Sequence, residues 1–203
     1  MFSKQVKGDR IAKKKWHCLK RPEISENDYL IRAVQENDIE NIRVWRNLQI
    51  DVLRQKGKIS KSEQADYFNN NVFNNMHKDQ PSNILMSYFH KDELIGYGGL
   101  VHLNWIDRRA EISFLLEPNL TNDKEIYKKH HLNFLKLISD LAFKDLHFNK
   151  IFTETWSISN RKSHIKNLEE FGFILEGKLK SHVLVDRKFR DALIHRILFS
   201  EYT

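Results

Sequence analysis

Glu111 is a carboxylate inside an otherwise apolar run, Arg109 to Leu116. A carboxylate so placed either takes a proton from a bound group or is neutralised by a base, with Arg108 and Arg109 nearest in sequence. Strand alternation puts Glu111, Ser113 and Leu115 on one face and Ile112 and Phe114 on the other. Further along, Asn160 opens a short helical pattern as its natural cap, and Ser163 falls in the first turn, where a serine hydroxyl commonly bonds backbone. Lys128, Lys129, His130 and His131 crowd the start of the longest helical stretch. Free amides and the positive dipole end meet there, so added cations suit phosphate groups. Arg46 and Arg54 suit a phosphate or carboxylate. Trp45 and Tyr97 offer faces for a base or sugar, although core packing is the simpler role for Trp45. Asn47, Gln55 and His102 complete this polar set, with His102 a second candidate base. No metal site is expected: Cys18 stands alone, and the adjacent His130 and His131 point differently on a helix.

The elements that must position these groups follow from periodicity. Leu30 to Val34 reads as a strand. A helix follows, with Asn37 and Glu40 spaced as a capping box and Ile39, Ile42 and Trp45 on one face. Ser60 and Glu63 box a second helix with the stripe Ala65, Phe68, Val72 and Met76. Strands are predicted over 84–89, 94–102 and 109–116, the second carrying Gly96, Gly98 and Gly99, which a strand tolerates where a bulge or close backbone approach needs them. A long helix over 126–146 presents Phe134, Leu135, Leu137, Ile138, Leu141 and Ala142 to a sheet. Ile151 to Trp156 returns as a parallel strand. A short helix from Asn160 turns Ile165, Leu168 and Phe171 inward and stops at Gly172. Two strands, 173–185 and 189–199, flank a turn at Asp186-Arg187. The fold class is α/β, a single mixed sheet covered by helices in the order β-α-α-β-β-β-α-β-α-β-β.

The chain of 203 residues suits one domain, starting near Tyr29 and running to the end. Residues 1–28 read as a basic arm, carrying Lys4, Lys7, Arg10, Lys13, Lys14, Lys15, Lys20 and Arg21, ordered in part around Trp16 and Leu19. One cysteine excludes an internal disulfide framework, and no apolar run reaches the length of a membrane span. A cytoplasmic location without membrane association is the expectation. The formal net charge of +7 favours phosphate-bearing ligands or other polyanions.

Three strings carry a resemblance. Leu30-Ile31-Arg32-Ala33 through Asp38 to Trp45-Arg46-Asn47 looks like an "L-R … D … W-R-N" opening. Ala110-Glu111-Ile112-Ser113-Phe114 looks like an "A-E-I-G-Y" strand. Asn160-Arg161-Lys162-Ser163, then Leu168 to Phe173 and Glu176-Gly177, looks like "N-x-R-S … L-x-x-x-G-F … E-G". In that order and spacing over residues 29–203 the chain resembles the GNAT N-acetyltransferase superfamily, most of all its Rim-like branch. Arg54-Gln55 and Gly96-Tyr97-Gly98-Gly99-Leu100 further resemble a sub-branch associated with surface-polysaccharide biosynthesis.

The resemblance implies the acyl-CoA N-acyltransferase fold and acetyl-CoA as co-substrate. It places pantetheine along the backbone of Phe114, Leu115 and Leu116, with Asn160 touching the same arm. Glu111 becomes the base for the acceptor amine, and Ser163 the donor to the CoA sulfur, because the tyrosine usual four residues before the G-F pair is Leu168. Trp45, Arg46, Asn47, Arg54, Gln55, Tyr97 and His102 become the acceptor side. One departure stands out: the family's R/Q-x-x-G-x-G/A at the start of the long helix is absent, with Lys129 and His131 near the glycine positions. The acceptor is expected to be a small-molecule amine, first an amino sugar on a nucleotide carrier. A protein N-terminus is the Rim-type alternative, and a non-catalytic module using its basic surface is the alternative from another class. Nucleic acid is not the expected partner, and a second copy of the chain is a candidate one.

Overall fold

In a computed structural model, residues 13–185 and 187–202 are described. Lys4, Lys7, Arg10 and the turn residue Asp186 lie outside them. Eight strands form one sheet: β1 (Glu23–Glu26), β2 (Tyr29–Ala33), β3 (Ile84–His90), β4 (Glu93–Asn104), β5 (Arg109–Leu116), β6 (Lys150–Trp156), β7 (Ile174–Val185) and β8 (Lys188–Leu198). Their spatial order is β1-β2-β3-β4-β5-β6-β8-β7. Only β5 and β6 run parallel, and α3 (Lys124–Asp140) connects them, as the crossover reading required. The other helices are α1 (Ile39–Leu48), α2 (Lys61–Tyr67) and α4 (Lys162–Phe171). The mixed sheet flanked by helices is the expected architecture.

The core lies between α3 and the sheet. Phe134, Leu135, Leu137, Ile138, Leu141 and Ala142 are all buried, and each of these but Ala142 contributes about 1.5–3 kcal/mol. Gly98 is required by this packing. A Cβ there would stand 2.2 Å from the Ser113 carbonyl oxygen and 2.7 Å from the Phe134 ring. Gly99 has φ +147° and lies against Ile84, so both a side chain and its backbone angle are excluded.

Three local expectations need correction. The sheet begins at Glu23, ahead of Tyr29, because Ile24 anchors β1 beside Ile31. Just before it, Trp16 is buried and its indole donates to the Leu85 carbonyl at 3.1 Å, while Arg21 forks onto Asp145 at 2.8 and 3.2 Å. These contacts fasten Trp16 and Arg21 to the sheet and to the end of the long helical stretch. The entry to α1 is boxed by Asp38, not Glu40: the Asp38 carboxylate accepts from the Gln35 N–H at 2.8 Å, from Arg32 at 2.7 and 3.1 Å, and from Ser87 at 2.6 Å. Glu40 pairs with Arg43 instead. The second helix is broken after Tyr67 into a wider turn at Phe68–Val72 and a tighter one at Phe73–Asn75, although Phe68, Val72 and Met76 keep their buried stripe. The Ser60–Glu63 box forms as expected, with Ser60 N–H donating at 2.8 Å and Glu63 N–H at 3.2 Å.

Candidate active site

β5 and β6 pair through Arg109–Lys150, Ala110–Ile151 and Glu111–Phe152, and then part. From Ile112 to Leu116, β5 stays paired with β4 but has no partner on its β6 side. A cleft opens in the fork, closed below by α3 and α4 and above by the segment after α1. Two adjoining cavities fill it, of about 190 and 430 Å³, and Val52, Leu53, Phe114, Arg161 and His164 wall both.

Glu111 stands at the fork and is 8% exposed. Its Oε1 accepts from the Arg54 guanidinium at 3.0 Å, and the same Nη2 lies 3.1 Å from Oε1 of Glu154. Arg108 and Arg109 play no such part; Arg109 pairs with Asp107. The other oxygen, Oε2, faces His102 Nε2 at 3.8 Å. His102 reaches this point because β4 slips register between Val101 and Asn104, where His102 has φ +52°, the strain of a bulge. On the far side of the fork His182 stands 3.9 Å from Glu154. Two carboxylates and one bridging arginine thus line the first cavity, and a histidine stands within 4 Å of each carboxylate, outside the cavity wall. The bridged carboxylates keep lone pairs for a further donor, since an ionised carboxylate has about four acceptor sites.

The larger cavity runs from this point past Phe114, Leu115 and Leu116 to Asn160, Lys162 and Ser163. Asn160 does not cap α4; it donates to Asp51 at 3.2 Å, tying α4's approach to the segment after α1. Arg161 donates to the Val52 carbonyl at 2.9 Å, and burial lowers its pKa. Ser163 lines the cavity, and its hydroxyl makes no hydrogen bond among the described residues, so the expected backbone bond is not formed.

The lysine–histidine segment departs most from expectation. Asp123 caps α3 and its carboxylate accepts from the N–H groups of Glu125 and Ile126 at 2.8 and 3.0 Å, occupying the amides an anion would use. Lys128 pairs with Glu170 at 2.7 Å, and Lys129 is exposed away from the cleft. His130 is buried under β2 and β3, 3.3 Å from the Tyr29 hydroxyl, and burial drops its pKa to about 4. His131 is buried between Phe114 and His164, ring centroids 5.0 and 4.4 Å away, and burial drops its pKa to about 3. Burial likewise holds His164 well below its ordinary value, with its Nδ1 2.8 Å from the Tyr127 hydroxyl. Neutral buried rings bring no charge to phosphates. The cations at the larger cavity are instead Lys124, Arg161 and Lys162.

On the acceptor side the expected residues divide. Arg46 and Arg54 line the first cavity. Trp45 and Tyr97 are core residues, 7% and 4% exposed, Tyr97 packing against Phe68. Asn47 pins the loop after α1 by accepting from Ile59 N–H at 2.8 Å and donating to its carbonyl at 2.8 Å. Gln55 accepts from Arg46 Nε at 3.1 Å. Glu154, Arg161, His164 and Tyr127 escaped the sequence reading. Glu154 lies in a strand, as Glu111 does, but it meets Glu111 only through Arg54, and Arg161 sits among the polar residues Asn160 and Lys162, where nothing in the sequence marks it.

A strand edge left open by its parallel neighbour, with a carboxylate at the fork and cations along the cleft, defines an acyl-CoA-dependent transferase. The family model described as an acetyltransferase (GNAT) domain matches residues 31–194, and the chain belongs to that family. It is an acyltransferase, and its co-substrate is acetyl-CoA. Among solved structures, a spermidine N-acetyltransferase chimera of Vibrio cholerae SpeG and hSSAT aligns at TM-score 0.72 and 21% identity, over 87% of this chain and 98% of that one. The Vibrio cholerae spermidine N-acetyltransferase in complex with CoA and spermine aligns at 0.70 and 20%, over 87% and 99%. A dodecameric form of that enzyme aligns at 0.70 and 21%, over 86% and 96%. These likenesses are of fold. No curated protein matches the chain.

The cleft fits a pantetheine arm: an extended backbone edge is open for strand-like hydrogen bonds, and Lys124, Arg161 and Lys162 give the larger cavity positive charge that suits phosphates. Asp123 opposes a phosphate directly on the α3 amides.

Proposed function

We propose that this enzyme acetylates the primary amine of a small-molecule acceptor, with Glu111 as base, and that the acceptor is an amino sugar on a nucleotide carrier. The position of Glu111 at the β5–β6 fork carries the reading. The acceptor nitrogen attacks the acetyl carbonyl carbon, the C–S bond breaks, and its electron pair goes to sulfur. The amine proton passes to Glu111, directly or through a water. Open N–H groups of β5 donate to the developing oxyanion, and Ser163 donates to the departing thiolate. Asn160, Phe114, Leu115 and Leu116 hold the pantetheine arm.

The charge of the site favours one amine over several. Glu111 and Glu154 share Arg54, so their joint charge is −1, enough for one ammonium. Arg46 and Arg161 make the rest of the cavity positive. A polyamine, which the Vibrio cholerae enzyme's structure contains, would meet those arginines with its remaining charges. A sugar nucleotide would meet them with phosphates. Equilibrium titration with acetyl-CoA followed by acceptor screening tests the reading: turnover of an amino-sugar nucleotide supports it, and turnover of spermidine alone overturns the acceptor assignment.

The same reading keeps the protein cytoplasmic and without membrane association; no helix among the described residues is long and apolar enough to cross a membrane. It also keeps a second copy of the chain as partner, for which Leu184 and Phe189, 63% and 69% exposed on β7 and β8, supply an apolar face. Light scattering reads this directly, and a monomer at all concentrations would remove it.

A further inference from the structure

A third cavity, of about 530 Å³, lies beyond the two in the cleft, between α1, the loop at 55–59 and α2. Arg46 lines both it and the cavity at Glu111, so the two spaces share a wall. Its other charged and polar side chains are Gln55, Lys56, Lys58, Glu63, Gln64 and Tyr67. Three cations therefore face one carboxylate, and that carboxylate is already engaged by the Ser60 N–H and hydroxyl at 2.8 and 2.7 Å.

Gln64 is the decisive residue. It is 2% exposed, yet its Nε2 has no hydrogen-bond partner among the described residues. A buried amide donor without an acceptor opposes folding. The walls around it are built in advance: Gln55 accepts from Arg46 Nε at 3.1 Å and donates to Asn47 at 2.9 Å and to the Gly57 carbonyl at 2.7 Å. Arg46 Nε is so fixed, while its two Nη groups make no hydrogen bond among the described residues.

We infer that this cavity binds an oxyanion carried by the acceptor, a phosphate or a carboxylate, while the acceptor's amine lies at Glu111. The inference rests on the acyl-transfer reading for the amine end, but the anion end stands on Gln64, Arg46, Lys56 and Lys58. It gives the acceptor a length as well as a charge: amine and anion must span the wall that Arg46 forms. It also separates this chain's substrate from a polyamine, whose far end is a cation.

The experiment uses ω-aminoalkyl phosphates of graded length, the matching ω-amino acids and the matching α,ω-diamines. Each is measured in acetyl transfer from acetyl-CoA and, separately, by calorimetric binding to the full chain. The expected result is one chain length at which a phosphate or carboxylate exceeds the diamine in kcat/KM by about tenfold or more, a difference of about 1.4 kcal/mol. The phosphate and carboxylate arms tell which oxyanion is taken. Gln64→Leu, close in size and apolar, and the exposed double variant Lys56→Ala/Lys58→Ala should each raise KM for the anionic acceptors and leave the diamines unchanged. Diamines accepted as well as anions would overturn the inference and leave acetyl transfer intact. Transfer to none of the three, with aminoalkyl phosphate bound and its binding lost in Gln64→Leu, would keep the anion site and overturn the transfer reading. Absence of binding in calorimetry would overturn the anion site whatever the turnover.

Discussion

Glu111 and Phe152 form the last paired rung between the parallel strands β5 and β6. One residue further on, the strands have separated and the backbone of β5 faces a cleft. The carboxylate is thus fixed by strand pairing on one side while its head reaches open space on the other. A carboxylate held by paired backbone has little freedom to lose when a ligand arrives.

Glu111→Gln keeps the size and one hydrogen-bonding oxygen for Arg54 but cannot take a proton. It should lower kcat by about 10²–10⁴-fold with little change in KM for acetyl-CoA. Steady-state kinetics with each substrate varied separates the two effects. An unchanged kcat would return Glu111 to the role of ion-pair partner.

Asp123→Ala opens the first amides of α3. Loss of the cap should cost about 0.5–2 kcal/mol of stability. Removing a negative charge beside the cleft should at the same time tighten CoA, because the freed amides favour phosphate. Thermal melting and calorimetric titration read the two changes, which carry opposite signs. A weaker CoA affinity in the variant would place the phosphates away from this helix end.

Acid should destabilise the fold through its histidines. Burial lowers the pKa of His130 to about 4, of His131 to about 3, and of His164 well below its ordinary value. The unfolded chain therefore binds more protons than the folded one below about pH 6.5. Their contribution is fully present above that pH and is lost as pH falls toward 4. The slope is at most about 1.4 kcal/mol per pH unit for each histidine. Melting temperature followed from pH 7 to 4.5 should fall steadily, and His131→Asn should flatten the slope. A variant with an unaltered slope would mean that His131 is not neutral in the folded state.

Gly98→Ala should destabilise by about 1–3 kcal/mol through overpacking, because its new methyl meets backbone oxygen and the Phe134 ring. Gly177→Ala is the control: nothing lies within 4 Å of its Cβ position. Chemical denaturation of both variants measures the difference, and equal stabilities would mean that α3 can lift off the sheet at no cost.

Trp16→Ala should cost about 3–5 kcal/mol, as removal of a buried large aromatic does. Its indole also ties the chain to β3 through Leu85. Urea unfolding shows whether this residue belongs to the cooperative unit, and an effect below about 1 kcal/mol would return it to a loosely attached arm.

The order of strands and helices was readable because periodicity alone distinguishes α3 from the strands around it. β1 was not, since only Ile24 of its four residues faces inward and one apolar residue makes no pattern. The histidines at the start of α3 were misread although their spacing was informative. His130 precedes Phe134 by four residues and His131 precedes Leu135 by four, which extends the buried stripe one turn backward. Glu111 stands out in the sequence as a carboxylate in an apolar strand, but its partner Arg54 lies 57 residues away, a contact that sequence spacing does not encode. The same holds for the meeting of Glu111 with Glu154, which depends on the parallel register of β5 and β6.

β7 forms an outer edge of the sheet, and its backbone is open on one side. Exposed strand edges invite other chains to add to them. Two features work against that here: Lys178 and Lys180 stand on the strand, and its register slips between Leu179 and Val183, where Ser181 has φ +49°. A bent, lysine-bearing edge is a poor template for a growing fibril. Protection of this edge against strand addition therefore rests on Lys178, Lys180 and the slip at Ser181, none of which lines the cleft.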